Sequence, residues 1–189
     1  LTIRKSLQKF KDKGKFIYSY GDFFSQKGYY LTSVSDSIFL NPMGNVELRG
    51  LGAEVLYYKQ LQEKYGFKME VVRHGKYKSA VEPYLDDKMS EANRNQIKSL
   101  LNSIWDGIGN QIKLSRKISS ENFNKVVDNL DATFPENAYR NNIVDGIVSK
   151  SQYKYKLKRV LGIKSDKKLN NVSYLQMKNS YNFKKGTRN

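Results

Sequence analysis

The chain has 189 residues, enough for one domain with an ordinary core, and its 39% hydrophobic and 13% aromatic content favours a globular protein over a disordered one. It contains no cysteine, which excludes disulfides, thiol catalysis and Cys-zinc sites, and its single histidine leaves a metal centre only carboxylates as further ligands. The formal charge is +16, and +11 of it lies after residue 149, where twelve basic residues face one acid, Asp166.

In chain order, residues 2–13 read as a helix with Ile3, Leu7 and Phe10 on one face and Gly14 as its stop. Lys15–Tyr20 is a short strand ended by Gly21-Asp22. A helix over Ser25–Ser33 follows, with Phe24, Tyr29 and Val34 as candidate core contacts. Ser37–Leu40 reads as a strand, closed by a type I turn at Asn41-Pro42-Met43-Gly44. Val46-Glu47-Leu48 is a candidate third strand. Glu54–Tyr65 reads as a helix with Val55, Tyr58, Leu61 and Tyr65 on one face, and Gly66 suits the left-handed position past its end. Phe67–Val72 alternates as a strand does. Strands and helices that alternate in this way predict an α/β layer architecture.

Ser90 is a candidate cap for the longest helix, with Glu91 in its first turn. Ile97, Leu100, Leu101, Ile104, Trp105, Ile108 and Ile112 recur at helical spacing and predict a core-facing stripe. Gly107 and Gly109 weaken this helix locally. Ser119-Ser120-Glu121 opens a further helix to Leu130, and Pro135 ends that region. Asn142–Ile147 fits either a last strand or a helix end. Beyond Lys150 the pattern predicts a short helix, Tyr153–Leu161, and then an extended connector. The basic charge there suits nucleic acid or an anionic membrane surface. Lysines dominate over arginines and no groove-reading motif accompanies them, so the adopted reading is a solvated connector with no nucleic-acid partner. No stretch has the length and hydrophobicity of a membrane-spanning helix, and none reads as a signal peptide. The chain opens inside a helical pattern without methionine, which points to a piece of a longer protein.

The densest cluster of reactive groups is His74-Gly75-Lys76-Tyr77-Lys78-Ser79-Ala80-Val81-Glu82-Pro83, where a strand gives way to a loop. Continued through Tyr84-Leu85, Asp87, Met89-Ser90 and Ala92-Asn93-Arg94, this segment resembles the lysine motif of signal peptide peptidases of the SppA (protease IV) type. Two earlier stretches carry the same resemblance. One runs from Tyr20-Gly21-Asp22 through Ser25-Gln26 and Gly28-Tyr29-Tyr30-Leu31 to Leu40-Asn41-Pro42 and Gly44. The other holds Leu48-Arg49-Gly50-Leu51, Ala53-Glu54-Val55 and Tyr57-Tyr58-Lys59. Together they cover most of residues 1–150 and match the long form of the family, which has two repeats per chain.

The resemblance implies a ClpP/crotonase-like fold of repeated β-β-α units. Residues 1–150 would form the repeat that carries the catalytic lysine. Residues 151–189 would form a basic helix and connector toward a second repeat. It implies a serine protease with a Ser/Lys dyad in which Lys78 is the general base and the serine lies in the other repeat, so that this portion alone is inactive. It also implies that the substrates are cleaved signal peptides or other hydrophobic peptides. The protein would be a homo-oligomer, a tetramer, anchored in the bacterial inner membrane by a segment outside this chain, with its catalytic domain on the periplasmic side. No cofactor and no metal are expected, and the residues do not indicate which side chains would bind substrate.

A lysine acts as a base only when neutral. Its ordinary pKa is about 10.4, so work near neutrality needs a depression worth about 3–4 kcal/mol. Burial or nearby positive charge supplies this. Arg73, Lys76 and His74 bring charge, while Tyr77, Val81 and Tyr84 offer an apolar wall. Glu82 opposes it, and its side chain is therefore expected to point away from the Lys78 amine. In an extended segment Lys76 would share a face with Lys78, and only the resemblance selects Lys78. Ser79 would point elsewhere. Ser25 is one position out of register with the family's nucleophile stretch, where Gln26 takes the serine's place; this repeat's own site is read as decayed.

His74 without a nucleophile-elbow motif makes a poor Ser-His-Asp triad. Gly50-Leu51-Gly52 lacks a strand–GxGxxG–helix unit, so nucleotide binding is unsupported. A crotonase-like acyl-CoA-binding module and a basic nucleic-acid-binding domain remain as alternatives of other classes.

Overall fold

The computed structural model of the chain describes residues 2–70 and 79–186, in two units, Leu1–Ile147 and Val148–Asn189. The first unit is built on three parallel strands in the order β1 (Tyr18–Phe24), β2 (Ser37–Val46) and β3 (Gly146–Ile147). Parallel neighbours need a crossover, and helix α2 (Gln26–Thr32) supplies the one between β1 and β2. The expected α/β architecture is therefore present.

Ile38, Phe39 and Leu40 are all buried, as consecutive residues are when both faces of a parallel strand are covered. Phe24, Tyr29 and Val34 are buried, as the sequence predicts. Helices α5 (Glu91–Arg116), α6 (Ser120–Asp128) and α7 (Pro135–Arg140) complete the cover, with Ile112, Phe123, Val126 and Ala138 in the same core. Ser25, Ser90 and Ser119 each cap a helix by accepting a backbone N–H three residues on, at 3.2 Å. The core is pinned by a polar knot. Arg116 donates to Asp145 Oδ1 (2.8 Å) and to the Asn142 carbonyl, Asp145 Oδ2 accepts the Ile38 N–H (2.7 Å), and the Tyr29 hydroxyl donates to the Ile143 carbonyl (2.7 Å).

Several boundaries differ from the sequence reading. Helix α1 (Thr2–Asp12) exposes Ile3 and Phe10 and buries Arg4 instead. All five guanidinium donors find neutral acceptors: the Tyr30 carbonyl, Ser33 Oγ, Gln111 Oε1 and carbonyl, and Ser115 Oγ. The cation also lies 4.6 Å from the Tyr30 ring centre. A fully bonded arginine stacked on an aromatic ring thus docks this helix in place of the apolar stripe.

Strand β1 begins at Tyr18 and runs through Gly21-Asp22 without ending there. The Asn41–Gly44 stretch is no terminating turn: it bulges within β2, and pairing resumes at Phe23 and Asn45. Glycine is required there, because a Cβ on Gly44 would lie 2.4 Å from the Asp22 carbonyl oxygen.

Helix α3 (Lys59–Tyr65) is shorter than expected, since the Tyr58 N–H donates to the Pro83 carbonyl (2.6 Å). Gly66 closes it in the left-handed conformation. Leu61 and Tyr65 are exposed and Gln62 is buried, the reverse of the expected face. Residues 67–70 form no strand, and 71 and 72 lie outside the described residues. Along α5, Ile112 is buried and Trp105 and Ile108 pack on the core, but Leu100 and Ile104 are exposed, so the stripe is covered only at its C-terminal end. Pro135 opens α7 rather than ending a region, as proline's fixed φ allows in a first turn.

The second unit holds α8 (Lys150–Val160), opened by a capping box of Ser149 and Gln152, and α9 (Tyr174–Gly186), where the sequence predicts an extended connector. Among the described residues no helix is long and apolar enough to cross a membrane.

Candidate active site

Lys78 lies outside the described residues, together with Arg73, His74, Lys76 and Tyr77. The two flanks of that segment are described, and polar side chains tie them to one another and to α5. The chain enters from α3 through Phe67–Glu70. It returns in a short 3-10 turn, Ser79–Val81, and helix α4 (Glu82–Leu85).

The buried Gln62 bridges the two sides. Its Oε1 accepts the Met69 N–H (2.8 Å) and its Nε2 donates to the Tyr84 carbonyl (2.8 Å). Residues before and after the lysine segment are thus held by one amide. Tyr58 stacks on Tyr84 with ring centres 5.7 Å apart, and Lys59 bonds Asp87 at 2.8 Å. That hydrogen bond holds the Asp87 carboxyl below its usual range and the Lys59 amine above its own. Asp87 therefore ties the residues after α4 to α3, and among the described residues no group of acidic and histidine side chains is arranged to hold a metal.

Glu82 is buried, with its carboxylate at the N-terminus of α5. Oε1 accepts the Ser90 hydroxyl (2.6 Å), and Oε2 accepts the Asn93 amide (2.9 Å) and the Ser90 N–H (3.3 Å). A carboxylate at the positive end of a 26-residue helix is favourably placed. Both oxygens thus engage α5; the geometry between Glu82 and the Lys78 amine lies outside the described residues. The Tyr57 hydroxyl is buried and finds no hydrogen-bond partner among the described residues. Burial first, then the charges of Glu82 and Asp86, raise its pKa.

A mostly apolar cavity of about 310 Å³ opens between α3 and α4, lined by Phe67, Met69, Tyr84 and Leu85 together with Gln62 and the charged Lys59, Glu63 and Lys68. Phe67 and Met69 are about half exposed there, as side chains are in a surface able to take an apolar group.

Of the other candidates, Ser79 begins the 3-10 turn and Ser25 is the α2 cap, an ordinary structural role. Gln26 bonds the backbone of Arg49 and Gly50. The sequence reading did not single out Gln62 or the Tyr57 hydroxyl. The adjacent pair Tyr57-Tyr58 was visible, but not which ring is stacked and which hydroxyl is buried.

Residues 9–164 match the model of Peptidase family S49. The chain is 32% identical over 180 residues to Protease 4 of Salmonella typhi and 31% identical over 179 residues to Protease 4 of Haemophilus influenzae. In each case 91% of this chain aligns with 29% of the relative. It is 30% identical over 176 residues to the chloroplastic serine protease SPPA of Arabidopsis thaliana, covering 91% of this chain and 25% of that protein. The chain thus spans under a third of the length of these relatives. With the family match covering most of the chain and its α/β core in place, the chain belongs to peptidase family S49.

Proposed function

We propose that this chain is the lysine-bearing repeat of a serine endopeptidase with a split Ser/Lys dyad, in which Lys78 is the general base. The fold would be the ClpP/crotonase-like one, with residues 1–150 as the repeat and 151–189 leading onward. The serine hydroxyl, supplied from another repeat, attacks a peptide carbonyl while the neutral Lys78 amine takes its proton. The acyl-enzyme is then hydrolysed by water. Cleaved signal peptides and other hydrophobic peptides are the substrates, and the site is completed in a membrane-anchored homo-oligomer on the periplasmic side of the bacterial inner membrane.

The observation that carries this reading is the double anchorage of the segment bearing Lys78. Gln62 joins its flanks, and the Glu82 carboxylate fastens its return to α5. A base needs such fixed supports to meet a nucleophile from another element. The cavity beside the same flanks supports an apolar peptide as substrate.

The test is peptide hydrolysis by the intact protease carrying both repeats. Lys78→Ala should lower kcat/KM by about 10³-fold or more. Full activity in that variant, with the protein folded, rejects the assignment.

A further inference from the structure

The helices of the second unit have caps but no core. Helix α8 opens on the Ser149–Gln152 capping box and buries none of its residues fully. Helix α9 opens in the same way: the Ser173 N–H donates to Gln176 Oε1 (2.8 Å), and the Ser173 hydroxyl accepts the Gln176 N–H (3.3 Å). Such caps encode both helix starts locally. A helix of 13 residues is nevertheless marginal in water by itself, and its stability normally comes from a packed apolar face. Here the apolar side chains are bare. Val172, Tyr174, Leu175 and Met177 are between 61% and 71% exposed, and Val160 and Leu161 are about half exposed at the end of α8.

The charge around these side chains is almost all of one sign. After residue 149 twelve basic residues stand against Asp166 alone, and Lys154, Arg159, Lys164, Lys167 and Lys168 are exposed. The rest of the chain is itself at +5 and offers no net counter-charge. We propose that the second unit is a docking surface for an anionic lipid bilayer. Its lysines rest on the headgroup phosphates, and the apolar side chains at the start of α9 enter the boundary with the acyl chains. Ten of the twelve cations are lysines, whose alkyl stems lie along an apolar layer while the ammonium groups stay at its polar edge. A nucleic-acid backbone accounts for the cations and leaves Leu175 and Met177 in water; an anionic bilayer accounts for both. This contact is made by the chain's own residues, apart from the anchor proposed above, and is independent of the role of Lys78.

The test is cosedimentation of the full chain with phosphatidylcholine vesicles containing about 30% phosphatidylglycerol, with pure phosphatidylcholine vesicles and a DNA duplex as comparators. Binding should be confined to the anionic vesicles and should weaken as salt rises from about 0.05 to about 0.5 M. Lys164→Glu, Lys167→Glu and Lys168→Glu together should weaken it about a hundredfold. Leu175→Ser with Met177→Ser should weaken it about tenfold. The same reversal at the exposed Lys5, Lys9 and Lys13 of the first unit removes equal charge and should change binding little. Circular dichroism establishes that each variant is folded. No binding to the anionic vesicles overturns the proposal, as does equal binding to the neutral ones or an equal loss in the two lysine triples. Tighter binding to the DNA than to the anionic vesicles, unaffected by the Leu175 and Met177 substitutions, also overturns it and assigns the surface to nucleic acid.

Discussion

The sheet region and the segment from Tyr57 to Asn93 belong to one unit but are held together differently. Around β2 the buried groups are mainly apolar: Ile38, Leu40 and Val46 are fully inaccessible, Phe123 and Val126 pack beside them, and the Arg116–Asp145 pair pins this core through the Ile38 N–H. Near the candidate site the apolar side chains Leu61, Tyr65, Phe67 and Met69 are exposed, while the buried ones are the polar Gln62, Glu82 and Asn93. Apolar burial is non-directional and gives stability. Hydrogen bonds from buried amides and carboxylates are directional and fix positions. The contrast marks the first region as scaffold and the second as the place where geometry matters more than stability.

Substitutions in the two regions should therefore separate stability from activity. The largest effect on folding is expected for Leu40→Ala, a loss of about 2–5 kcal/mol in denaturant unfolding. Glu82→Ala leaves buried donors of Ser90 and Asn93 without their acceptor and should cost about 1–3 kcal/mol. It should also reduce hydrolysis by the intact protease, because the return from the lysine segment is released from α5. Gln62→Leu should lower kcat/KM about tenfold with a much smaller loss of stability than Leu40→Ala. Comparable unfolding midpoints for the Gln62 and Leu40 variants would erase the proposed distinction.

The smallest effect concerns pH and belongs to the scaffold alone. Burial pushes the Asp36 carboxyl up, but the Ile17 N–H and the Lys11 ammonium outweigh it and hold its pKa below the usual range. Stability from this group is present above the unfolded carboxyl value of about 3.9 and disappears as pH falls through the lower folded value. Asp36→Asn should flatten the acid limb of the stability profile in that window and leave hydrolysis near neutrality unchanged. An unaltered acid limb would remove Asp36 from the account.

Strong local signals in the sequence coincide with the observed elements. Ser90 and Ser119 announce their helices because a serine ahead of an acidic first turn satisfies orphan N–H groups at once. The sequence predicts only the first part of β2, because Asn-Pro-Met-Gly has the composition of a turn and the pairing that resumes beyond the bulge is set by Phe23 on another strand. Arg4 was invisible as a core residue, since its acceptors lie 26 to 111 positions away. The same reason hides the site. The Gln62 bonds to Met69 and Tyr84 and the Gln26 bonds to Arg49 and Gly50 join residues 7 to 24 apart, and no helical or strand periodicity encodes them. Lys78 was legible only through the resemblance of its surrounding motif.

If Lys78 is the base proposed above, its amine is neutral during turnover, and titration of that amine by NMR in the intact protease with selectively labelled lysine tests this directly. The midpoint should lie near neutrality, with kcat/KM rising as the same proton is lost. A midpoint at the ordinary lysine value of about 10.4, in a protease active at neutral pH, would contradict it.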